Sequence, residues 1–220
     1  MLTRELLTQS LPSLRLHDKV YQALQLMNDN QVTHLPITDG DKFVGLISEE
    51  DLLQVENDHD TLAKLEQSFF NISVKEDEHF LKAVQTAAEN GLSVVPVVNE
   101  DNELTGTVAY SDLLRYASEF MSLKEPGGMI VLEIPSNQYS FSEISKLVET
   151  NDAQITQLNT SNDAETGMMQ VTLRINKPEV SDIVATFQRY EYTVKYFFGE
   201  EQYANELRTN YDNLMNYLKM

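Results

Sequence analysis

Residues 32–53 read VTHLPITDGDKFVGLISEEDLL, and residues 92–114 read LSVVPVVNEDNELTGTVAYSDLL. Laid over each other, Pro36 meets Pro96, Gly45 meets Gly106, and Asp51-Leu52-Leu53 meets Asp112-Leu113-Leu114, with one extra residue in the second turn. A repeat of about 60 residues marks one supersecondary unit used twice.

Each copy resolves into the same parts. In the first, Asp18 is expected to cap a helix whose Val20, Ala23, Leu24 and Met27 form one apolar stripe. A strand over 33–37, the hairpin signal Asp39-Gly40 and a strand over 43–47 follow, and Ser48 then caps a second helix with Leu52 and Leu53 facing inward. In the second, Phe80, Leu81, Val84, Ala87 and Ala88 supply the stripe. Strands over 93–98 and 104–109 flank the turn NEDNE, and a helix over 111–121 closes the copy. One strand-helix-strand-strand-helix unit has too small a core to stand comfortably alone, so the two copies are expected to stack and bury their sheet faces together.

The pattern x-h-P-h-h, an acidic turn, then G-h-h-S-x-x-D-L-L resembles the CBS domain, and its two occurrences within 1–122 resemble a CBS pair, or Bateman module, with copy one about 1–60 and copy two about 61–122. The resemblance implies a cleft between the copies for AMP, ADP, ATP or an S-adenosyl ligand, and regulation of an attached or partner protein. It implies that Ser48 contacts phosphate, that Asp51 and Asp112 contact ribose, and that His34 is a base facing phosphate, with Pro36 and Gly45 as the remaining motif positions. On the residues alone, Ser48 and Asp51 read equally as a helix cap with a first-turn acid, and His34 as an exposed strand histidine.

The two motifs differ. The second reads GTVAYSD, where Ala109 replaces the hydroxyl residue. A lost charge-assisted hydrogen bond is worth about 1.5–3 kcal/mol, so the first copy is expected to be the working site, unless Ser111 takes over the cap. Tyr110 either enters the second pocket or covers its outer surface. Glu49 and Glu50 directly follow Ser48, which favours AMP, adenosine or an S-adenosyl compound over ATP.

EPGG at 125–128 ends a linker over 123–128. From 129 to 199 the order is strand, helix, strand, strand, helix, strand, with Ser140 or Ser142 as cap for the first helix and Pro178 in the first turn of the second. That order predicts a ferredoxin-like sandwich. Following a CBS pair, it resembles an ACT domain, a family that often binds amino acids near a glycine after the first strand. Here that loop, PSNQYS at 135–140, has no glycine, which points to association instead. Residues 200–220 read as an amphipathic helix with Tyr203, Leu207, Asn210, Leu214 and Tyr217 on one seam, packed within the protein or between subunits.

The fold class expected is therefore mixed α+β and α/β: a tandem β-α-β-β-α repeat, a βαββαβ unit and a terminal helix. The chain of 220 residues carries 35 acids against 16 bases, a net charge of −19. Such a chain repels phosphodiester backbones and anionic lipid, so neither nucleic acid nor membrane is an expected partner. With no cysteine, disulfides and thiolate chemistry are excluded. The opening MLTRELLTQSLPSL does not resemble a signal peptide and no stretch suits a membrane span, so a cytoplasmic location is expected. No H-x-x-x-H pair, P-loop or G-x-G-x-x-G occurs, and His59 in ENDHD reads as a solvated helix end. The expectation is a non-catalytic ligand sensor without cofactor or metal, homodimeric and read out by its own second half or by a protein partner. The competing expectation is a ligand-free interaction module.

Overall fold

The computed structural model describes residues 1–7, 11–199 and Met215, and divides into two compact units, Met1–Phe120 and Met121–Met220. The expected helix over 200–220 lies, save for Met215, outside the described residues.

In the first unit, copy one comprises β1 (Leu14–Arg15), α1 (Val20–Asn30), β2 (His34–Asp39), β3 (Lys42–Ser48) and α2 (Glu49–Leu53). Copy two repeats the order with β4 (Val74–Lys75), α3 (Phe80–Asn90), β5 (Val94–Val98), β6 (Leu104–Ala109) and α4 (Tyr110–Phe120). Each copy forms a three-stranded sheet, β1-β2-β3 and β4-β5-β6, whose first pair is parallel and second antiparallel. The register sets Pro36 opposite Leu46 and Ile37 opposite Gly45, and likewise Pro96 opposite Thr107 and Val97 opposite Gly106. Leu35, Ile37, Leu46 and Ile47 share one core with Val94, Val95, Val97 and Val108, so the copies bury their apolar faces as a single cluster.

Local details correct the sequence reading in four places. Asp18 does not cap α1: its carboxylate accepts the Arg15 amide at 2.7 Å and closes a turn, and Lys19 is the cap residue. Leu53, expected inward, is 68% exposed, because successive helical residues point about 100° apart and Leu52 takes the inward face. The stripe of α3 is Phe80, Ala83 and Ala87, with Val84 partly buried beside it, and Leu81 and Ala88 are exposed. In the second unit, the helix expected from Pro178 begins at Ser181.

The copies also exchange their leading segments. The helical turn Thr3–Leu6 docks on copy two: the Thr3 amide donates to Glu78 O at 2.9 Å and the Arg4 amide to Glu76 O at 3.0 Å. The turn Leu62–Ser68 docks on copy one in the same way, Leu62 donating to Asp18 O at 2.9 Å and Ala63 to Leu16 O at 2.8 Å. A boundary at 60/61 thus divides the repeat in sequence but not in packing. The motif glycines face this exchange. A Cβ on Gly45 would lie 2.9 Å from Phe69 Cβ and 3.2 Å from Phe70 O, whereas one on Gly106 would meet only the tip of Leu7 at 3.0 Å.

The hairpin ends interlock, with Phe43 donating to Asn102 O and Leu104 to Asp41 O, both at 2.9 Å. At the opposite end of the strands the Thr33 amide donates to Ser93 Oγ at 2.9 Å. The Ser93 amide donates to His34 Nδ1 at 3.4 Å, so that nitrogen serves as an acceptor. Burial lowers the His34 pKa below its ordinary value, partly offset by the Asp51 carboxylate.

The second unit comprises β7 (Gly128–Pro135), α5 (Phe141–Glu149), β8 (Ile155–Asn162), β9 (Met168–Ile175), α6 (Ser181–Arg189) and β10 (Thr193–Phe198). The sheet order β10-β7-β9-β8, antiparallel throughout, is the ferredoxin-like arrangement. Ser140 caps α5, accepting the Glu143 amide at 3.4 Å. Ile144, Val148, Ile183 and Phe187 from the helices bury against Ile130, Leu132, Val171 and Leu173 of the sheet.

Gly45→Ala is expected to destabilise the first unit by about 1–3 kcal/mol, because Phe69 and backbone must shift, and Gly106→Ala by less. Urea melts of the two variants check the difference. The fold favours unprotonated His34, so the unfolded chain takes up the proton first as pH falls; this contribution to stability is full above about pH 6.5 and is lost below it. Thermal melts between pH 7.5 and 5.5 should therefore fall more steeply for the wild type than for His34→Gln.

Candidate ligand-binding site

The positions singled out in sequence fall in two places. His34 and Ser48 are direct register partners across β2 and β3, and Asp51 stands in the first turn of α2. There the Ser48 hydroxyl, 9% exposed, accepts the Asp51 amide at 3.1 Å and donates to the Asp51 carboxylate. This helix cap satisfies its own polar groups, and α2, with five residues, adds little dipole. Pro36 and Gly45 are buried in the strands beneath, where Gly45 is covered by Phe69.

Asp112 lies elsewhere, on an open cleft of about 710 Å³ between the copies. The size falls within the roughly 300–1,000 Å³ of small-molecule sites. Copy one contributes Asn30, Gln31 and Val32, where α1 ends in a left-handed residue, Gln31 at φ 55°. Copy two contributes Gly91, Leu92 and Ser93 at the matching end of α3, together with Ala109, Tyr110 and Ser111 at the start of α4. Val32 and Leu92 are buried apolar walls, and Tyr110 presents its ring at 48% exposure, so it lines the cleft without filling it. The Tyr110 amide donates to Ser93 O at 2.9 Å, fixing the start of α4 against β5, as Glu49 donates to Thr33 O at 2.8 Å in copy one. Asp112 Oδ1 accepts from Arg115 Nη2 at 3.0 Å, and the Arg115 guanidinium sits 4.3 Å over the Tyr116 ring.

Of the six candidate residues, then, the structure gathers His34, Ser48 and Asp51 in one place and sets Asp112 alone on the cleft. Sequence reasoning missed the two helix ends, at Asn30-Gln31-Val32 and Gly91-Leu92-Ser93; the equal spacing of Gln31 from Pro36 and of Gly91 from Pro96 was the available signal.

The second unit has a smaller hollow of about 420 Å³ beside the loop 135–140, lined by Gln138, Glu133, Glu143, Glu191 and the rings of Tyr190 and Tyr192. Burial, and then a hydrogen bond to Glu143, pushes the Tyr192 hydroxyl up to about 12. Among the described residues no group of three acids or histidines is placed to hold a metal ion, and no helix is long and apolar enough to cross a membrane.

The CBS domain family model matches residues 4–58 and 71–119. An inosine-5'-monophosphate dehydrogenase from Methanocaldococcus jannaschii is 24% identical over 135 residues, covering 60% of this chain and 27% of that protein. A homoserine O-acetyltransferase from Methanohalobium evestigatum is 28% identical over 105 residues, covering 45% of this chain and 20% of that protein. The chain thus spans roughly a fifth to a quarter of the length of these curated relatives. A crystal structure of a CBS domain pair/ACT domain protein from Thermotoga maritima matches with a TM-score of 0.50 at 23% identity, over 55% of this chain and 99% of that one, a likeness of fold. With the duplicated β-α-β-β-α unit, these matches identify residues 4–119 as a tandem CBS pair, followed by a unit of ferredoxin-like fold.

Proposed function

We propose that the chain is a non-catalytic, cytoplasmic regulatory sensor that binds an adenosine-containing ligand, AMP, adenosine or an S-adenosyl compound in preference to ATP, between its CBS copies. The observation that carries this reading is the open cleft with a single carboxylate, Asp112, at the start of α4 and an apolar wall of Val32, Leu92 and Tyr110. A purine ring suits such a wall, and a carboxylate accepts hydrogen bonds from two vicinal ribose hydroxyls. Because both copies line the cleft, a ligand there has different contacts in differently packed states, which is what a shift between states requires. The ACT-like domain or a protein partner reads the change. The group of His34, Ser48 and Asp51, above Pro36 and Gly45, is the second and weaker site in this proposal, since a ligand must first displace the bond between the Ser48 hydroxyl and Asp51. That order reverses the expectation from the motifs alone, in which the hydroxyl of Ser48 favoured the first copy.

A second reading, association without a small ligand, is favoured by Leu53 and Leu114, which occupy matching places in the two copies and are 68% and 63% exposed. The two readings are compatible in a homodimer built on these helices.

A thermal-shift screen with AMP, adenosine, S-adenosylmethionine, ATP and amino acids is expected to raise the melting temperature with an adenosine compound, because binding to the native state alone stabilises it. No shift at millimolar concentration removes the sensor reading. In calorimetry Asp112→Ala is expected to weaken the tightest event about tenfold or more, and Asp51→Ala to leave it nearly intact. Light scattering is expected to give twice the 25.1 kDa chain mass, and Leu53→Glu with Leu114→Glu to return it to one chain.

A further inference from the structure

Bound phosphate is ordinarily met by lysine or arginine, or by amides at a helix N-terminus. Among the described residues lining the Asp112 cleft there is no lysine, arginine or histidine. Two helices, α1 and α3, end at the cleft with Gln31 and Gly91 as their caps, so the helix ends it receives from them carry partial negative charge. The opposite pole, the start of α4, already holds the Asp112 carboxylate in its first turn. Arg115, one turn along, is committed to Asp112 at 3.0 Å and to Glu119 at 3.8 Å, and lies over the Tyr116 ring. Ala109 stands where copy one has the Ser48 hydroxyl.

We infer that this cleft takes a nucleoside bearing no phosphate, neutral or cationic, with a free ribose diol for Asp112. The inference rests on the adenosine reading above and narrows it. A phosphate placed here meets a carboxylate and two helix C-terminal ends, and among the described lining residues only the N-terminus of α4, which already holds Asp112, opposes them. A neutral nucleoside, or one with a positively charged sulfonium, meets no such opposition.

Calorimetry on the full chain, at physiological salt and without divalent metal, with adenosine, S-adenosylmethionine, AMP and ATP is the test. Adenosine or S-adenosylmethionine is expected to bind about tenfold or more tightly than AMP, with ATP weaker still. AMP binding as tightly as adenosine, or more so, overturns this inference and leaves the adenosine reading standing. No binding by any of the four overturns both. Ala88→Arg adds a cation from an exposed position of α3 that lines the cleft. It is expected to raise the affinity for AMP relative to adenosine roughly fivefold. An equal effect on both ligands, or none on AMP, counts against the inference.

Discussion

The backbone amides of Thr3 and Leu62 donate across the repeat, each to the segment that leads into the other copy's first helix, and the rest of the first unit depends on that exchange. One copy alone offers a three-stranded sheet with two short helices, too little apolar surface to offset the entropy of ordering its chain. Crossing the leading segments ties the two sheets into one core and brings Phe69 and Leu7 over the motif glycines. Gly45 and Gly106 are therefore accounted for by packing, before any ligand is considered. The interlocked hairpins at one end and the Thr33–Ser93–His34 contacts at the other then fix how the copies face each other.

That geometry makes the two motifs unequal in a way that their letters invert. The first has the full set of polar groups, but they satisfy one another: Ser48 caps a five-residue helix and holds Asp51 by both its donor and its acceptor. The second lacks the hydroxyl, and Ala109 leaves space in front of an eleven-residue helix that starts with an aromatic ring and the Asp112 carboxylate, held by Arg115 from one turn along. An absent side chain is here a gain of volume, and volume is what admits a ligand.

The order of elements was legible because it rests on period and punctuation: the helical spacing of Val20, Ala23, Leu24 and Met27, the Asp39-Gly40 turn between strands expected over 33–37 and 43–47, and the duplicated Pro, Gly and Asp-Leu-Leu positions. The ferredoxin-like unit was legible for the same reason, in the order of its strands and helices. What was not legible depends on distant contacts. Asp18 and Leu53 were misplaced because a cap and an inward face are decided by where the chain turns next. The exchange of the leading segments leaves no mark in hydrophobic spacing, since it is made by backbone groups that every residue carries. The cleft was missed for a similar reason: it is formed by two helix ends from different copies, while the motif draws attention to the residues that follow the second strand of each.

The exchange also sets an order of events during synthesis. Thr3 cannot meet Glu78 until about 75 further residues have been made, which at roughly 5–20 residues per second means about 4–15 s. The turn at 62–68 reaches copy one sooner, because its partners Leu16 and Asp18 are already in place. Copy one can thus gather its own cover while the first seven residues wait with their amides in water. Only when α3 arrives does the ring of contacts close. The long loops that must close first make the assembly of this unit slow relative to a helical bundle of equal size, and they make its last step a joining of the two ends of the repeat.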